Sequence, residues 1–357
     1  MTAPRGGPAA VLSSPRPMPF AEIIGQDRAV DALRAAVRRG GLHHAYLFAG
    51  PAGVGKGTVA RLLAQAANCE RADGDACGAC APCRKIARGV HPDVLVVERE
   101  RDMARAGRWE PKGGRTPSRD IVVDQVRELV DRRLSLRRFE GRRRFVLIDP
   151  ADAMNPQAQN AILKTLEEPP PDTTLVLVSS SADGLLPTVR SRCLRLPFAP
   201  LPDAVLVERL AAAGRTPEDA RLAATLAAGS LGRALELDAE VIQERRVAVE
   251  EAAALPADDA RPWIAFAARH GAKRERAREV CELLLVWLRD VLVRASAGGS
   301  APLVLADLEG ATAVAARLGP EVALRRIEQV RRALLALRHN ASGPLTIERM
   351  LIGWFHG

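Results

Sequence analysis

The stretch HHAYLFAGPAGVGKGTVARLLAQAAN, His43 to Asn68, decides how the first half of the chain folds. HHAYLFAG, His43–Gly50, reads as a short buried strand running into a glycine-rich turn, and Lys56–Asn68 reads as a helix. Between them lies GPAGVGKGT, Gly50–Thr58. Gly50, Gly53 and Gly55 let backbone N–H groups crowd around phosphate oxygens. The start of the helix adds positive potential, and Lys56 supplies a point charge for terminal phosphates. The competing reading is a purely structural glycine turn, and the strand–loop–helix context weighs against it. One position departs from the pattern. The residue after the lysine ordinarily carries a hydroxyl that ligates Mg²⁺, and here it is Gly57. Thr58 lies about 100° further round the helix and does not point at the same metal position. The spacing therefore predicts nucleotide binding without efficient hydrolysis.

A second stretch, VLIDPADAMNPQAQNAILKTLEEPP, Val146–Pro170, bears on the same chemistry. A strand ending at Asp149 delivers a carboxylate where a nucleotide motor holds Mg²⁺. Such a motor usually places next to it a glutamate that activates water, and here the next residue is Pro150. Proline has no carboxylate to orient or deprotonate water, so both altered positions weaken phosphoryl transfer without dismantling the fold.

Around these two stretches, strand and helix signals alternate. Helices are expected at about Asp27–Arg39, Val122–Leu134 and Pro156–Glu168, and strands at Val94–Val97, Phe145–Asp149 and Thr174–Ser180. Three prolines end the helix at Glu168. GRWEPKGGRTPSRD, Gly107–Asp120, reads as a long surface loop. This alternation argues for a parallel sheet covered by helices. After Leu194–Asp203 the strand signals stop. Short helical patterns run to about 238, and long amphipathic helices follow, such as Arg276–Val293 and Leu324–Arg338. The fold class is α/β plus all-α. The divisions are a leader at 1–17, an α/β domain at 18–200, a small helical lid at 201–240 and a helical domain at 241–357.

The chain has 357 residues, long enough for two or three cores, and its 47% hydrophobic and 27% charged composition is that of a globular protein. Aromatics make up only 3%, so Leu, Val, Ile and Ala must fill the core. No apolar run approaches the roughly 20 residues that span a bilayer. The N-terminal segment lacks a signal-peptide pattern, and its Pro, Gly, Ala and Ser content suggests disorder. The cytoplasm is the expected compartment. A net charge of +9 permits contact with nucleic acid without proving it. The densest basic run, RRLSLRRFEGRRR at Arg132–Arg144, holds seven arginines in thirteen residues. It reads either as a solvated helix end and turn or as a phosphate-facing surface.

Four of the six cysteines fall within fifteen residues: Cys69, Cys77, Cys80 and Cys83. Two overlapping C-x-x-C steps and an upstream cysteine can wrap one tetrahedral ion, and four thiolates favour zinc. A closed four-thiolate shell leaves no position open for catalysis, so the predicted zinc is structural. A redox dithiol or a disulfide pair are the rivals, and a cytoplasmic setting disfavours disulfides. Cys193 and Cys281 read as ordinary, partly buried thiols.

FAEIIGQDRAVDALRAAV, the strand and loop at His43–Lys56, the four-cysteine insertion, HPDVLVV, the Asp149 stretch and LLPTVRSRC (Leu185–Cys193) together resemble the bacterial DNA polymerase III clamp-loader subunits. These are AAA+ proteins, and the resemblance runs over nearly the whole chain to the closing NASGPLTIERMLI. It implies an AAA+ P-loop domain with a parallel sheet, a lid and a helical collar. The family's ATP-driven tau/gamma members would carry Lys-Thr or Lys-Ser and Asp-Glu. Lys56-Gly57 and Asp149-Pro150 resemble the non-hydrolysing delta-prime group instead. Ser191-Arg192-Cys193 resembles the family's SRC motif, which implies that Arg192 reaches a nucleotide on a neighbouring subunit. The alternative is a surface arginine in a turn. Ser180 falls near an expected polar sensor, and GSLGRAL (Gly229–Leu235) resembles the sensor-two region, where Arg233 faces phosphates or packs the lid. The implied partners are tau/gamma and delta subunits, the sliding clamp and primed DNA. A tau/gamma-type ATPase and a free-standing DNA-binding protein are the alternatives.

Overall fold

The computed structural model describes residues 19–71, 73–237, 239–298, 303–338 and 341–356. The expected leader at 1–17 lies outside the described residues. Two compact units divide between Leu201 and Pro202.

The first unit is built on five parallel strands, β1 Ala45–Ala49, β2 Val94–Val97, β3 Arg144–Ile148, β4 Thr173–Ser179 and β5 Leu194–Pro197, in the order β2-β3-β4-β1-β5. Their sequences explain the layering. In β1, Tyr46 and Phe48 join one apolar cluster, while Ala45, Leu47 and Ala49 join another on the opposite face. In β3, Phe145 and Leu147 divide from Val146 and Ile148 in the same way. A strand apolar on both faces needs helices on both sides. On the first side, α1 Asp27–Arg38 and α2 Lys56–Asn68 bury Leu33 and Leu63. On the second, the helix Pro156–Glu167 buries Ile162 and Leu166. Asn155 opens that helix, its side chain accepting the Ala158 N–H at 2.8 Å, and Pro156 follows at the first helical position.

The sequence predicts one regular helix over Val122–Leu134. The structure places a π-helical segment, Val126–Asp131, between short α-helical ends. That segment buries Val126 and Val130 against the sheet, so packing overrides the ordinary period. The expected surface loop at Gly107–Asp120 is on the surface, but it is pinned. Glu100, fully buried, takes two hydrogen bonds from the Arg115 guanidinium at 2.6 Å, with further bonds from the Ser118 N–H and the Trp109 indole.

The second unit is helical throughout its described residues, from Asp203–Ala212 to Gly343–Phe355. Arg274–Ala297 is its longest helix and buries Trp287 completely. Gly343 opens the last helix where a Cβ would collide with the Gly271 carbonyl, which accounts for a glycine there.

Candidate functional site

The strand order places β4 between β1 and β3, so the carboxyl ends of all three open at one rim of the sheet. The glycine-rich loop leaves β1 there and Asp149 leaves β3 there. Gly53 and Gly55 adopt positive φ, 75° and 95°, a conformation that costs glycine little. A Cβ on Gly50 would collide with the Phe198 carbonyl. Gln26, which sequence reasoning overlooked, ties the loop to the exit of β5. Its amide donates to Ala199 O at 2.8 Å and to Val54 O at 3.5 Å, and accepts from Ala199 N at 3.2 Å. No local motif marks it, because its partners lie far along the chain.

Lys56 is buried at the start of α2 and donates to Gly50 O at 2.8 Å and Pro51 O at 2.5 Å. Its ammonium thus caps the loop's own carbonyls. Burial lowers its pKa, against the pull of Asp149 and Asp152. Burial likewise raises the Asp149 carboxyl, opposed by Arg61 and Lys56. The missing side chain of Gly57 is what admits this carboxylate: a Cβ there would stand 2.5 Å from Asp149 Oδ2. Thr58 is solvent-exposed. Pro150 follows Asp149 through a cis peptide bond. Asp152, also overlooked in the sequence, accepts from Ser180 N at 2.9 Å and Ser180 Oγ at 3.0 Å, so the serine expected as a sensor is engaged with a carboxylate at the rim.

Arg192 lies at the other end of the sheet. β1 and β5 run parallel, Tyr46 opposite Leu194 and Ala49 opposite Pro197. Arg192 precedes β5 whereas the loop follows β1, a separation of roughly 15 Å at the rise of a strand. Its guanidinium bonds Glu167 at 2.7 and 3.0 Å and Thr188 O at 2.9 Å. Arg233 is in the second unit, where it pairs with Glu282 and its N–H is capped by Ser230 Oγ at 3.2 Å.

The four cysteines do converge. All four Sγ atoms lie within 4.8 Å of one another, Cys69 and Cys83 fully buried. Tetrahedral zinc with bonds of about 2.3 Å needs sulfurs just under 4 Å apart, so the donor set fits that ion with a small contraction. The Cys80 N–H points at Cys77 Sγ at 3.3 Å, and Gln65 holds Cys83 O at 2.8 Å. Burial pushes the Cys69 and Cys83 thiols up. For Cys77, burial is outweighed by the N–H groups of Cys80 and Ala79 and by the neighbouring thiols, and its pKa falls to about 7. Burial alone pushes Cys193 up to about 12, that of an inert thiol, and Cys281 stands at about 12 for the same main reason.

The basic run divides. Arg144 caps Leu134 O and Leu136 O at 3.0 and 2.7 Å, Arg143 bonds Thr174 Oγ1 at 2.7 Å and Leu42 O at 3.0 Å, and Arg138 pairs with Asp172 at 3.2 Å. Arg143 and Arg144 hold the fold, whereas the Arg138–Asp172 pair is exposed and contributes little. Arg132, Arg133 and Arg137 are exposed.

A parallel sheet with a glycine-rich loop after its inner strand, a lysine at the helix start and an aspartate two strands away define a P-loop α/β fold. Residues 25–202 match the family described as "DNA polymerase III, delta subunit". The chain is 40% identical over 212 residues to DNA polymerase III subunit delta' of Pseudomonas aeruginosa, covering 58% of this chain and 60% of that protein. It is 36% identical over 181 residues to DNA polymerase III subunit tau of Escherichia coli, covering 50% of this chain and 25% of that one. A solved gamma subunit-related protein from Thermotoga maritima superposes with TM-score 0.43 at 16% identity, over 91% of this chain and 98% of that one. The chain is thus similar to the delta' and tau subunits of DNA polymerase III, and it spans about 60% of the length of the delta' relative.

Proposed function

We propose that this chain is the delta-prime subunit of a DNA polymerase III clamp loader. It holds the shape of an assembly with tau/gamma and delta subunits that places the sliding clamp on primed DNA, and it does not hydrolyse ATP itself. The carrying observation is the pair of changes at one site. Gly57 supplies no hydroxyl, Pro150 supplies no base, and the Asp149 carboxylate sits against the gap at Gly57. Gly50, Gly53 and Gly55 in the loop, with Lys56 and Thr58 at the start of α2, remain as a cradle for phosphates, so ATP binds without efficient turnover. Arg192 faces away from this loop, and the nucleotide it serves is one on a neighbouring tau/gamma subunit, where a guanidinium stabilises charge developing on the transferred phosphoryl group.

In this reading the helices up to about 240 form a lid, with Arg233 as a packing residue through Glu282, and the remainder forms the collar. Cys69, Cys77, Cys80 and Cys83 hold a structural zinc that fixes the insertion between α2 and the helix Ala81–Ala87. No helix among the described residues is long and apolar enough to cross a membrane. The proposed compartment is the cytoplasm, where replication takes place.

Steady-state ATP hydrolysis by the purified chain with primed DNA, beside a Lys56→Ala control, tests the reading. No turnover above the control is expected. Turnover abolished by Lys56→Ala would make the chain a motor of the tau/gamma type and overturn the assignment.

A further inference from the structure

Strand β2 closes one edge of the sheet, with β3 on its inner side. Asp93 O accepts from Phe145 N at 2.9 Å and Val97 O accepts from Asp149 N at 3.0 Å. Alternation along the strand therefore turns the N–H and C=O of Val96 toward the open edge. The strand is VLVV, with neither proline nor charge to blunt it.

Two adjoining hollows follow this edge and share Pro92, Leu95 and Arg133. The larger, about 750 Å³, is rimmed by Arg61, Arg88 and Arg133. Its one lining carboxylate, Glu98, is already bonded to Arg108. The smaller, about 320 Å³, is walled by Leu136 and Phe139 beside Arg137. Its Asp93 carboxylate is consumed by the N–H groups of Phe139, Glu140 and Gly141 at 2.7–3.2 Å. That bend holds Phe139 out in solvent at 80% exposure, with Leu136 at 63%. Arg61, Arg88, Arg133 and Arg137 are exposed, and no side-chain hydrogen bond or salt bridge engages them among the described residues.

We propose that this edge is a docking groove for an extended acidic segment of another protein, which pairs with β2 as an added strand. Its carboxylates meet Arg61, Arg88, Arg133 and Arg137, and an apolar side chain enters the smaller hollow beside Phe139. Charge complementarity sets the occupant's sign, since Arg88, Arg133 and Arg137 have no side-chain partner among the described residues, Arg61 acts only on the Asp149 carboxylate, and both lining carboxylates are spent. The open backbone groups and the apolar hollow set its class. A peptide offers alternating donors and acceptors to a strand edge and side chains to a pocket, whereas a phosphodiester backbone offers acceptors alone.

Fluorescence anisotropy with the full chain tests this, using a fluorescein-labelled peptide of alternating Glu and Val ending in Leu. Saturable binding is expected that weakens with salt, because the arginines are exposed. Arg133→Glu combined with Arg137→Glu should weaken it by about tenfold or more. The same peptide with Lys for Glu should not bind, and a version N-methylated at alternate residues should bind far more weakly. No saturable binding, or binding unchanged in the double variant, overturns the groove. An N-methylated probe that binds as well as its parent overturns strand pairing. A double-stranded oligonucleotide that displaces the peptide mole for mole would make the surface a phosphate-binding one and overturn the proposal.

Discussion

The Cβ that Gly57 lacks would stand 2.5 Å from Oδ2 of Asp149. Helix α2 and strand β3 thus share a volume that one side chain fills. A hydroxyl-bearing residue at 57 must turn the carboxylate aside, a clash with the end of one side chain and not with backbone. Gly57→Ser is expected to lower the melting temperature and to leave ATP hydrolysis at background, because Pro150 still supplies no base. Thermal melts and phosphate release check both halves. Turnover in the single variant would show that another group activates water.

The parts of this site carried by local motifs were legible in the sequence. Strand, loop and helix at 43–68, the aspartate at the end of β3 and the four-cysteine insertion each announce themselves within a few residues, because each is a local backbone or ligand requirement. What the sequence hides is set by partners far along the chain. Gln26 bridges to Ala199, Asp152 holds Ser180, and Arg144 is spent on carbonyls at 134 and 136 rather than on solvent. Nor does periodicity reveal the π-helical segment at Val126–Asp131, since it answers to packing against the sheet.

The convergence of four sulfurs predicts about one zinc per chain by elemental analysis of protein purified without chelator. Stripping the metal should lower the melting temperature, and re-adding Zn²⁺ should restore it, because binding free energy of a structural site is folding free energy. Cys80→Ser should reduce bound zinc and stability together. Well under one zinc per chain in the unmodified protein would remove the structural-zinc assignment.

Asp93 predicts an acid-sensitive loop. Burial disfavours its charge, but the N–H groups of Gly141, Phe139 and Glu140 outweigh that, and its pKa lies below the ordinary carboxylate value. A folded pKa below the unfolded one stabilises the protein in full above the unfolded value, near 3.9, and the contribution is lost as pH falls through the folded value. Asp93→Asn sets an amide donor against three N–H donors and is expected to cost about 1–3 kcal/mol at neutral pH. In urea melts, the gap between the two proteins should hold through neutral pH and narrow below about pH 4. A gap that persists undiminished in acid would mean that the loss is one of packing rather than charge.

Arg192 predicts a division between assembly and turnover. Its guanidinium is tied to Glu167 and Thr188 at the end of the sheet away from the loop that follows β1, so it is out of reach of its own chain's phosphates. To serve a neighbour's nucleotide it must exchange the Glu167 contact, an exposed ion pair worth about 1 kcal/mol or less. Arg192→Ala should therefore leave subunit association intact by gel filtration while lowering the DNA-stimulated ATPase of the assembled loader by the share of the one site it serves, where such a guanidinium contributes about 10³–10⁵ in turnover. Glu167→Gln keeps the arginine, loosens its tether and should leave that rate unchanged or raise it slightly. An ATPase rate indifferent to Arg192→Ala, with assembly intact, would reduce Arg192 to a surface arginine paired with Glu167.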